Sequence, residues 1–278
     1  LAIDTRWFFI LIKNLMIIVI MSDTISQNLR IYIPSLNRPK ELIHKTLKLL
    51  DGIDKKYITI VVSNNQQLEM YSDMIKGYTF AVSNTSSIGD KRNYIKHAAA
   101  EEYIVMIDDD ITKILDNNGI KLSGERIFAV ILAGFEKCIK TKTSMFGMCG
   151  YSNSFYLRDT CTTDQLKFLC GNFMGFIQNE QYPPIYCPYS LLEDYYFSCK
   201  HFLRDGGVVK FQALGCETRF AKNKGGIQTT YTSDERLAIE YKIIDQMVCE
   251  LPAGMMRITD KVRGKNITLN RFFKNTQI

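Results

Sequence analysis

The sequence has few of the residues that build structural zinc sites. It contains three histidines, His44, His97 and His201, and no two of its eight cysteines have Cys-x-x-Cys spacing. Such zinc sites take four cysteine or histidine ligands, usually in closely spaced pairs. The sequence therefore indicates no structural zinc site. Buried free thiols in a reducing cytosol are the simplest interpretation of the cysteines, and a cytoplasmic location is expected.

An uninterrupted apolar run long enough to cross a membrane is also lacking. Trp7 to Met21 is strongly apolar, but a lysine and an asparagine interrupt it, and it is short for a membrane span. It has no small-residue cleavage site after it, which a signal peptide would need, although a signal anchor remains an alternative. Translated upstream sequence, with the start at Met16 or Met21, fits better. We therefore leave residues 1–20 out of the fold prediction and expect no stable membrane association.

No segment combines low hydrophobicity with high charge, and we find no repeat and no linker. With 278 residues, of which 46% are hydrophobic and 23% charged, the composition predicts one globular domain over residues 21–278. The net charge is +6. Residues 251–278 carry six basic side chains and one acid. This basic tail either meets phosphates or forms a solvated surface.

The first half of the sequence alternates strand and helix patterns. This order predicts an α/β fold with a mostly parallel central sheet and helices on both faces. In such sheets, ligands bind beyond the carboxyl ends of the strands. The predicted strands are 30–33, 57–62, 78–82 and 103–107, and the predicted helices are 40–50, 66–75 and 89–100.

The second half is less regular and predicts a mixed arrangement. Its strand patterns cover 145–156, 168–177 and 208–213, and its helix patterns cover 124–140, 191–203 and 236–249.

Three consecutive aspartates, Asp108, Asp109 and Asp110, follow the apolar run at 104–107. Carboxylates so close together repel one another, and a bound divalent cation removes that repulsion. Oxygen ligands suit Mn²⁺ or Mg²⁺. Alternate side chains of an extended segment point the same way, so Asp108 and Asp110 are predicted to face one ligand while Asp109 turns aside. The alternative is a helix N-cap or a solvated turn.

A second polar group, Gly89 to Asn93, opens the helix that precedes the aspartates. Gly89 permits a close approach, and Lys91 and Arg92 place donors at a helix amino terminus, which favours anions. A capped, basic surface helix is the alternative.

Two acids, Glu193 and Asp194, stand near the start of a predicted helix that is rich in aromatic residues. A carboxylate beside apolar walls can have a raised pKa and act as a general base. The alternative is an acid that complements the helix dipole.

Further along, Lys224, Gly225 and Gly226 form either a loop over a diphosphate or a plain turn.

Five segments together form a pattern that is more specific than any one of them. They are Ile33-Pro34-Ser35-x-x-Arg38-Pro39, Gly89-x-x-Arg92-Asn93, Val105-Met106-Ile107-Asp108-Asp109-Asp110-Ile111, Glu193-Asp194 and Gly225-Gly226. The pattern resembles the GT-A glycosyltransferases, and more narrowly the TET-associated glycosyltransferases. These are similar to the base J glucosyltransferases and have relatives in phages with hypermodified DNA. The resemblance covers about residues 29–230.

The resemblance implies a nucleotide-sugar half at about 29–115, an acceptor half at about 120–250 and the basic tail. It also implies Mn²⁺ or Mg²⁺ on Asp110 and Asp108, and Asp194, with Glu193 beside it, as the base if the enzyme inverts. Asn64 would lie near the nucleobase. The implied donor-binding residues are Pro34, Arg38, Asn64, Gly89, Lys91, Arg92, Asn93, Asp108, Asp109, Lys224, Gly225 and Gly226.

One feature departs from the family pattern. Many GT-A enzymes place a carboxy-terminal histidine on the metal, whereas none of the histidines here lies in the late loop. Water or donor oxygens would then complete the metal shell, or Lys224 would supply charge in its place.

The reaction that the resemblance implies moves a sugar, glucose, from a UDP-sugar to 5-hydroxymethylpyrimidine in DNA, in a phage or viral setting. The basic tail would contact the DNA backbone. Three alternatives remain open, of which the first is a GT-A enzyme with a glycan, lipid or protein acceptor. The second is a nucleotidyltransferase, against which the Pro34–Pro39 loop argues. The third is a non-catalytic nucleic-acid-binding relative, against which the intact carboxylates argue.

Overall fold

The computed structural model describes residues 22–218, 231–261 and 264–274. The apolar segment at 1–20 and the loop residues Lys224, Gly225 and Gly226 lie outside the described residues, so the predictions made for them stay predictions. No helix among the described residues is both long and apolar enough to cross a membrane.

The first half of the chain forms a parallel sheet of four strands in the order β3-β2-β1-β4. Every residue of β2 and β4 is buried, as expected for strands covered on both faces. This confirms the predicted α/β alternation. The strands are β1 (Leu29–Pro34), β2 (Ile58–Val62), β3 (Thr79–Val82) and β4 (Tyr103–Ile107), and the helices are α1 (Pro39–Leu42, continued by a π-helical turn at Ile43–Leu47), α2 (Asn65–Met74) and α3 (Ile88–Ala98).

The second half extends the same sheet in a mixed arrangement, in the order β4-β9-β7-β10-β5-β6. β9 is antiparallel to both β4 and β7, whereas β7 and β10 are parallel. The elements are β5 (Ile111–Asp116), β6 (Lys121–Leu122), α4 (Gly124–Thr141), β7 (Met145–Cys149), β8 (Cys161–Thr162), β9 (Phe173–Ile177), α5 (Glu193–Asp205), β10 (Val209–Thr218), α6 (Ser233–Glu250), β11 (Met256–Lys261) and β12 (Gly264–Leu269).

Several sequence predictions for this half were wrong in extent. The predicted strands 145–156 and 168–177 are in fact the shorter β7 and β9, because the residues beyond them form loops. β5, β6 and β8 were not predicted, and the basic tail contains an antiparallel hairpin, β11–β12. β6 and β8 have two residues each, and the buried residues of β5 do not alternate, so these three strands show no strand period.

The core lies on both faces of the sheet. On one face, Val105 packs in a cluster with Tyr71 of α2 and Phe135 of α4. On the other face, Met106 packs in a cluster with Ile95 of α3. Because consecutive residues of a strand point to opposite faces, β4 contributes to both clusters. The strands are thus fixed between helices, and the carboxyl ends of β1, β2 and β4 open at one edge of the sheet.

Candidate active site

The turn from β4 to β5 lies at this edge and carries the three aspartates. β4 pairs with β1 in the parallel half, whereas β5 pairs with β10 in the mixed half. Asp108–Asp110 therefore join the two halves. The Thr46 hydroxyl donates to the Asp108 carbonyl oxygen at 2.7 Å and accepts from the Ile111 amide at 3.1 Å, which holds the turn at both ends.

The side chains of these aspartates face in two directions. Asp109 is fully buried and pairs with Arg38 and the Ser35 hydroxyl. Burial raises the pKa of Asp109, and Arg38 opposes this rise. Asp108 and Asp110 instead line a cavity at this edge, and Asp110 lies 3.2 Å from an Arg38 nitrogen. Arg38 is thus shared between a buried carboxylate and one at the cavity.

The buried side chain of Arg92 joins three segments of the chain. Its guanidinium lies 2.9 Å from Asp108 and 3.0 Å from Glu193, and it donates to the Gly171 carbonyl oxygen at 2.7 Å. Burial alone would lower the pKa of Arg92, but the carboxylates of Glu193, Asp108 and Asp194 together raise it. Arg92 is only 1% exposed, so its contacts in the described protein are with protein groups rather than with solvent.

The acidic pair at the start of α5 has two different environments. Glu193 is buried against Arg92, and burial raises its pKa to about 7 although Arg92 opposes the shift. Asp194 lines the cavity, and its carboxylate accepts hydrogen bonds from the Gly171 amide at 3.1 Å and the Tyr195 amide at 2.9 Å. Burial raises the pKa of Asp194 as well, with Arg92 again opposing. Asp194 is therefore a fixed carboxylate at the cavity wall.

Lys91 places a buried cation below the ends of β1 and β2. Its ammonium group donates to the Ser35 carbonyl oxygen at 2.7 Å and to the Ser63 hydroxyl at 2.9 Å. Burial lowers its pKa to about 8, while Asp109 acts in the opposite direction. The group thus remains largely charged at neutral pH, because a site with a pKa of about 8 is mostly protonated at pH 7.

Gly89 and Asn93 fix the amino-terminal half of α3 against the loop that precedes α5. A Cβ atom on Gly89 would lie 1.9 Å from the Tyr189 carbonyl oxygen, so only glycine allows this approach. The Asn93 amide donates to the Cys187 carbonyl oxygen at 2.7 Å and accepts from the Cys187 amide at 2.8 Å. These contacts position Lys91 and Arg92, which lie between the two residues on the same helix.

Two adjoining clefts open at this edge. The larger, of about 520 Å³, has Asp108, Asp110 and Asp194 in its wall. The smaller, of about 80 Å³, is lined by residues that include Pro34 and Lys91. The two clefts share Arg38, Ile88 and Asp108. One elongated ligand could therefore occupy both.

Among the described residues that were predicted to bind the donor, Gly89 and Asn93 line neither cleft and instead contact the loop before α5. Asn64 is a third such residue outside both clefts. Its side chain accepts from the Gln67 amide and caps α2, and in the described part of the chain it lines neither cleft.

Asn172, in contrast, was not predicted. It is 3% exposed and lines the larger cleft, and its amide has no hydrogen-bond partner among the described residues. A buried polar group without a partner costs about 1–3 kcal/mol, which a ligand could recover.

Asp108 and Asp110 are the residues that could hold a metal ion. Among the described residues, no group of three or more histidine, cysteine, aspartate or glutamate side chains is arranged as a metal site. Two carboxylates nevertheless fit Mn²⁺ or Mg²⁺ when phosphate oxygens and water complete the shell, which is the usual arrangement for Mg²⁺ on nucleotides. The donor set therefore fits a cation that arrives with a phosphorylated ligand.

No protein-family model matches the sequence, and no curated protein sequence matches it. Solved structures do match. The mannosyltransferase PcManGT from Pyrobaculum calidifontis, in complex with GDP-Man and Mn²⁺, is 11% identical with a TM-score of 0.51, and the match covers 78% of this chain and 64% of that one.

Two further structures are similar. Glucosyl-3-phosphoglycerate synthase from Mycobacterium tuberculosis, in complex with Mn²⁺, UDP and glucosyl-3-phosphoglycerate, is 12% identical with a TM-score of 0.50, and the match covers 91% of each chain. TarS from S. aureus, in complex with UDP-GlcNAc, is 15% identical with a TM-score of 0.49, and the match covers 80% of this chain and 66% of that one. The chain thus spans just under two thirds of the TarS and PcManGT chains. At these identities the likeness concerns the fold, and the fold is that of the GT-A glycosyltransferases.

Proposed function

We propose that this protein is a metal-dependent glycosyltransferase that moves a hexosyl group from a nucleotide sugar to an acceptor hydroxyl. The observation that carries the proposal is the network around Arg92. It joins Asp108 of the aspartate turn to Glu193 at the start of α5, beside the sheet edge where open α/β sheets bind their ligands. Two proteins of the same fold have been solved in complex with a nucleotide or nucleotide sugar together with Mn²⁺.

Asp108 and Asp110 would hold Mn²⁺ or Mg²⁺ between the protein and the donor. When bound, the cation neutralises the charge that develops on the departing nucleoside diphosphate. Arg92 and Arg38 each pair with one of the two carboxylates and so fix their positions before the donor arrives. Such preorganisation avoids the cost of ordering the site during the reaction.

The donor would extend across both clefts. Lys91 is a buried cation beside the smaller cleft, and it supports binding of the negatively charged diphosphate there. The loop from Pro34 to Arg38 forms another wall of that cleft. Lys224, Gly225 and Gly226 lie outside the described residues and stay predicted contacts of the diphosphate, whereas Asn64, which lines neither cleft, is left out of the proposed donor contacts.

Asp194 would accept the proton of the attacking hydroxyl in an inverting transfer. The amides of Gly171 and Tyr195 hold its carboxylate in place, while burial raises its pKa and so strengthens it as a base. Glu193 is buried against Arg92 and would act by keeping that arginine in position.

For the acceptor we propose 5-hydroxymethylpyrimidine in DNA, with UDP-glucose as the donor. A base in a duplex would have to be extruded to reach the cleft. The stacked rings of Phe168 and Tyr195, 4.2 Å apart in the cleft wall, offer a flat apolar surface for such a base. The exposed side chains of Arg257, Arg271 and Lys274 in the basic tail offer charge for the DNA backbone.

The test is donor hydrolysis and transfer with UDP-glucose, UDP-N-acetylglucosamine and GDP-mannose, each with Mn²⁺, with Mg²⁺ and with a chelator. Duplex DNA with and without 5-hydroxymethylpyrimidines is the acceptor, and nucleosides are analysed by mass spectrometry. We expect a hexose mass only on hydroxymethylated DNA and only with metal. Metal-dependent hydrolysis without a DNA product would disprove the DNA acceptor but retain the glycosyltransferase. Neither hydrolysis nor nucleotide binding with any donor would disprove the glycosyltransferase.

A further inference from the structure

Asn172 is a wall residue of the larger cleft, and its buried side-chain amide has no hydrogen-bond partner in the described part of the chain. The residue is 3% exposed, and both its Nδ2 and Oδ1 atoms are without a hydrogen bond among the residues that the structure describes. Most buried amides have at least one partner. An amide that is buried, unpaired and in a cleft wall is therefore available to a ligand.

The backbone around Asn172 is held by the same groups that we assign to the reaction. Its carbonyl oxygen accepts from the Asp108 amide at 3.0 Å. The preceding residue, Gly171, accepts from Arg92 at 2.7 Å and donates to Asp194 at 3.1 Å. Asn172 is thereby fixed between the aspartate turn and Asp194, the proposed base. The reacting sugar would lie in this part of the cleft.

The chemistry of the amide indicates which part of the donor it recognises. A primary amide offers two donors and one acceptor, whereas a phosphate offers only acceptors and would leave Oδ1 unpaired. A sugar hydroxyl both donates and accepts, so it can satisfy either atom of the amide. We infer that Asn172 is a specificity-determining residue that binds a hydroxyl of the transferred hexosyl group. This inference rests on the proposed function and adds a residue to it.

The test compares two ligands that differ only in the sugar. Affinities of UDP and UDP-glucose are measured by calorimetry with Mn²⁺ for the wild type and for Asn172→Ala. We expect UDP-glucose to bind about 10-fold more weakly to the variant, because one ligand hydrogen bond to a buried group is lost. UDP affinity should remain within about 2-fold of the wild type, since the diphosphate does not contact the amide.

Asn179→Ala is the matched control. Asn179 lies just beyond the other end of β9, is exposed, and bonds to Glu102 and Tyr182. Its replacement removes the same amide away from the cleft and should change neither affinity. Asn172→Leu, which fills similar space, provides a second variant in case the alanine variant folds poorly.

Deoxy donors identify the contacted hydroxyl. UDP-glucose analogues lacking one sugar hydroxyl are titrated against the wild type and Asn172→Ala. One analogue should bind the two proteins about equally, because without that hydroxyl the amide of the wild type has no sugar group to bind and its removal costs nothing further.

Three results separate the inference from the proposed function. If the wild type binds UDP and UDP-glucose and Asn172→Ala binds both as tightly, the inference is wrong and the function stands. If both Asn172 variants lose stability and weaken UDP and UDP-glucose equally, Asn172 is a structural residue and the inference again fails. If the wild type binds no nucleotide or nucleotide sugar with Mn²⁺, the proposed function falls and the inference with it.

Discussion

At the scale of single residues, the cleft is organised by cations that each serve more than one carboxylate. Arg92 pairs with Asp108 and Glu193, and Arg38 pairs with Asp109 and Asp110. Removing a partner from a buried ion pair costs more than the pair itself contributes, because the remaining charge stays buried. Substitutions at the cavity-facing carboxylates are therefore more informative about function than substitutions at the buried arginines.

Asp110→Asn should reduce kcat/KM of metal-dependent donor turnover by about 100-fold or more, since one of the two proposed anionic metal ligands is lost. The unfolding temperature should change little, because Asp110 lies at the cavity rather than in the core. Asp73→Asn, which removes the same charge from the exposed side of α2, is the control and should be fully active. Turnover by Asp110→Asn at the wild-type rate would show that Asp110 is not a metal ligand.

Asp194→Asn should lower kcat of transfer by about 100-fold or more while the affinity for the donor changes little, because general bases contribute about 10²–10⁴ to the rate. Steady-state kinetics with donor and acceptor varied separately measures both quantities. A large loss of donor affinity with an unchanged kcat would assign Asp194 to binding instead.

At the scale of elements, the site depends on how α3 meets the loop before α5. Gly89 makes the contact, since its backbone amide donates to the Ser190 carbonyl oxygen at 3.2 Å. Helix propensity by itself predicts that alanine at this position stabilises the protein by up to about 1 kcal/mol. The close approach to Tyr189 predicts the opposite sign.

Gly89→Ala should therefore destabilise the protein by about 1–3 kcal/mol, which is typical of overpacking, and should also lower activity by displacing Lys91 and Arg92. Chemical denaturation and donor turnover measure the two effects. Ala98→Gly, at the exposed last residue of the same helix, should cost less than about 1 kcal/mol through propensity and leave activity intact. A gain in stability for Gly89→Ala would show that the loop can move away.

The other end of α5 carries a buried histidine. His201 bonds to the Ser144 hydroxyl at 2.8 Å, with Asp205, Arg204 and Lys96 around it. Burial lowers its pKa to about 3, with Asp205 opposing and the two cations assisting. In the unfolded chain a histidine has a pKa of about 6.5, so between these values the unfolded state binds the additional proton. The free energy of unfolding therefore falls as the pH falls through this window.

His201→Gln should remove this dependence. Between pH 6.5 and 4.5 the wild type should lose about 2 kcal/mol more stability than the variant, at up to about 1.4 kcal/mol per pH unit. Urea denaturation at each pH measures the difference. His97→Gln, at an exposed position on α3, should keep the wild-type slope. Parallel slopes for the wild type and His201→Gln would mean that the imidazole is already protonated in the folded protein.

At the scale of the whole molecule, the aspartate turn connects a parallel half to a mixed half, and the cleft lies where they meet. A ligand that bridges both halves should stabilise the folded chain as a unit, since binding to the native state alone shifts the unfolding equilibrium.

UDP with Mn²⁺ should raise the unfolding temperature by about 5–10 °C when its concentration is 100 times the dissociation constant. Binding at that concentration adds about 2.7 kcal/mol to the free energy of unfolding. The unfolding temperature of a domain of this size rises by about 2–4 °C per kcal/mol. UDP with a chelator should give a much smaller shift, because the proposed metal links the diphosphate to Asp108 and Asp110. Thermal denaturation in a matrix of nucleotide and metal concentrations checks this. Equal shifts with and without metal would contradict a metal-mediated site.

The sequence by itself determined the α/β order of the first half and the position of the aspartates. Buried parallel strands read as continuous apolar runs, and an acidic run after such a strand is visible without any tertiary information. β5 was not visible, because its buried residues, Ile111 and Ile114, do not alternate with a strand period. The β11–β12 hairpin was missed although its apolar residues, Met256 and Ile258 and then Ile267 and Leu269, alternate with a strand period.

Only the tertiary structure decided which partners the site residues have. Arg92 contacts Asp108, Gly171 and Glu193. Because these residues are far from Arg92 in the sequence, no local sequence pattern predicts the contacts. The same applies to Asn172, whose amide is significant only because the surrounding fold buries it and leaves it unpaired among the described residues. Local patterns report the periods of helices and strands. Contacts between distant segments depend on sheet order, which the packing of the two core faces fixes.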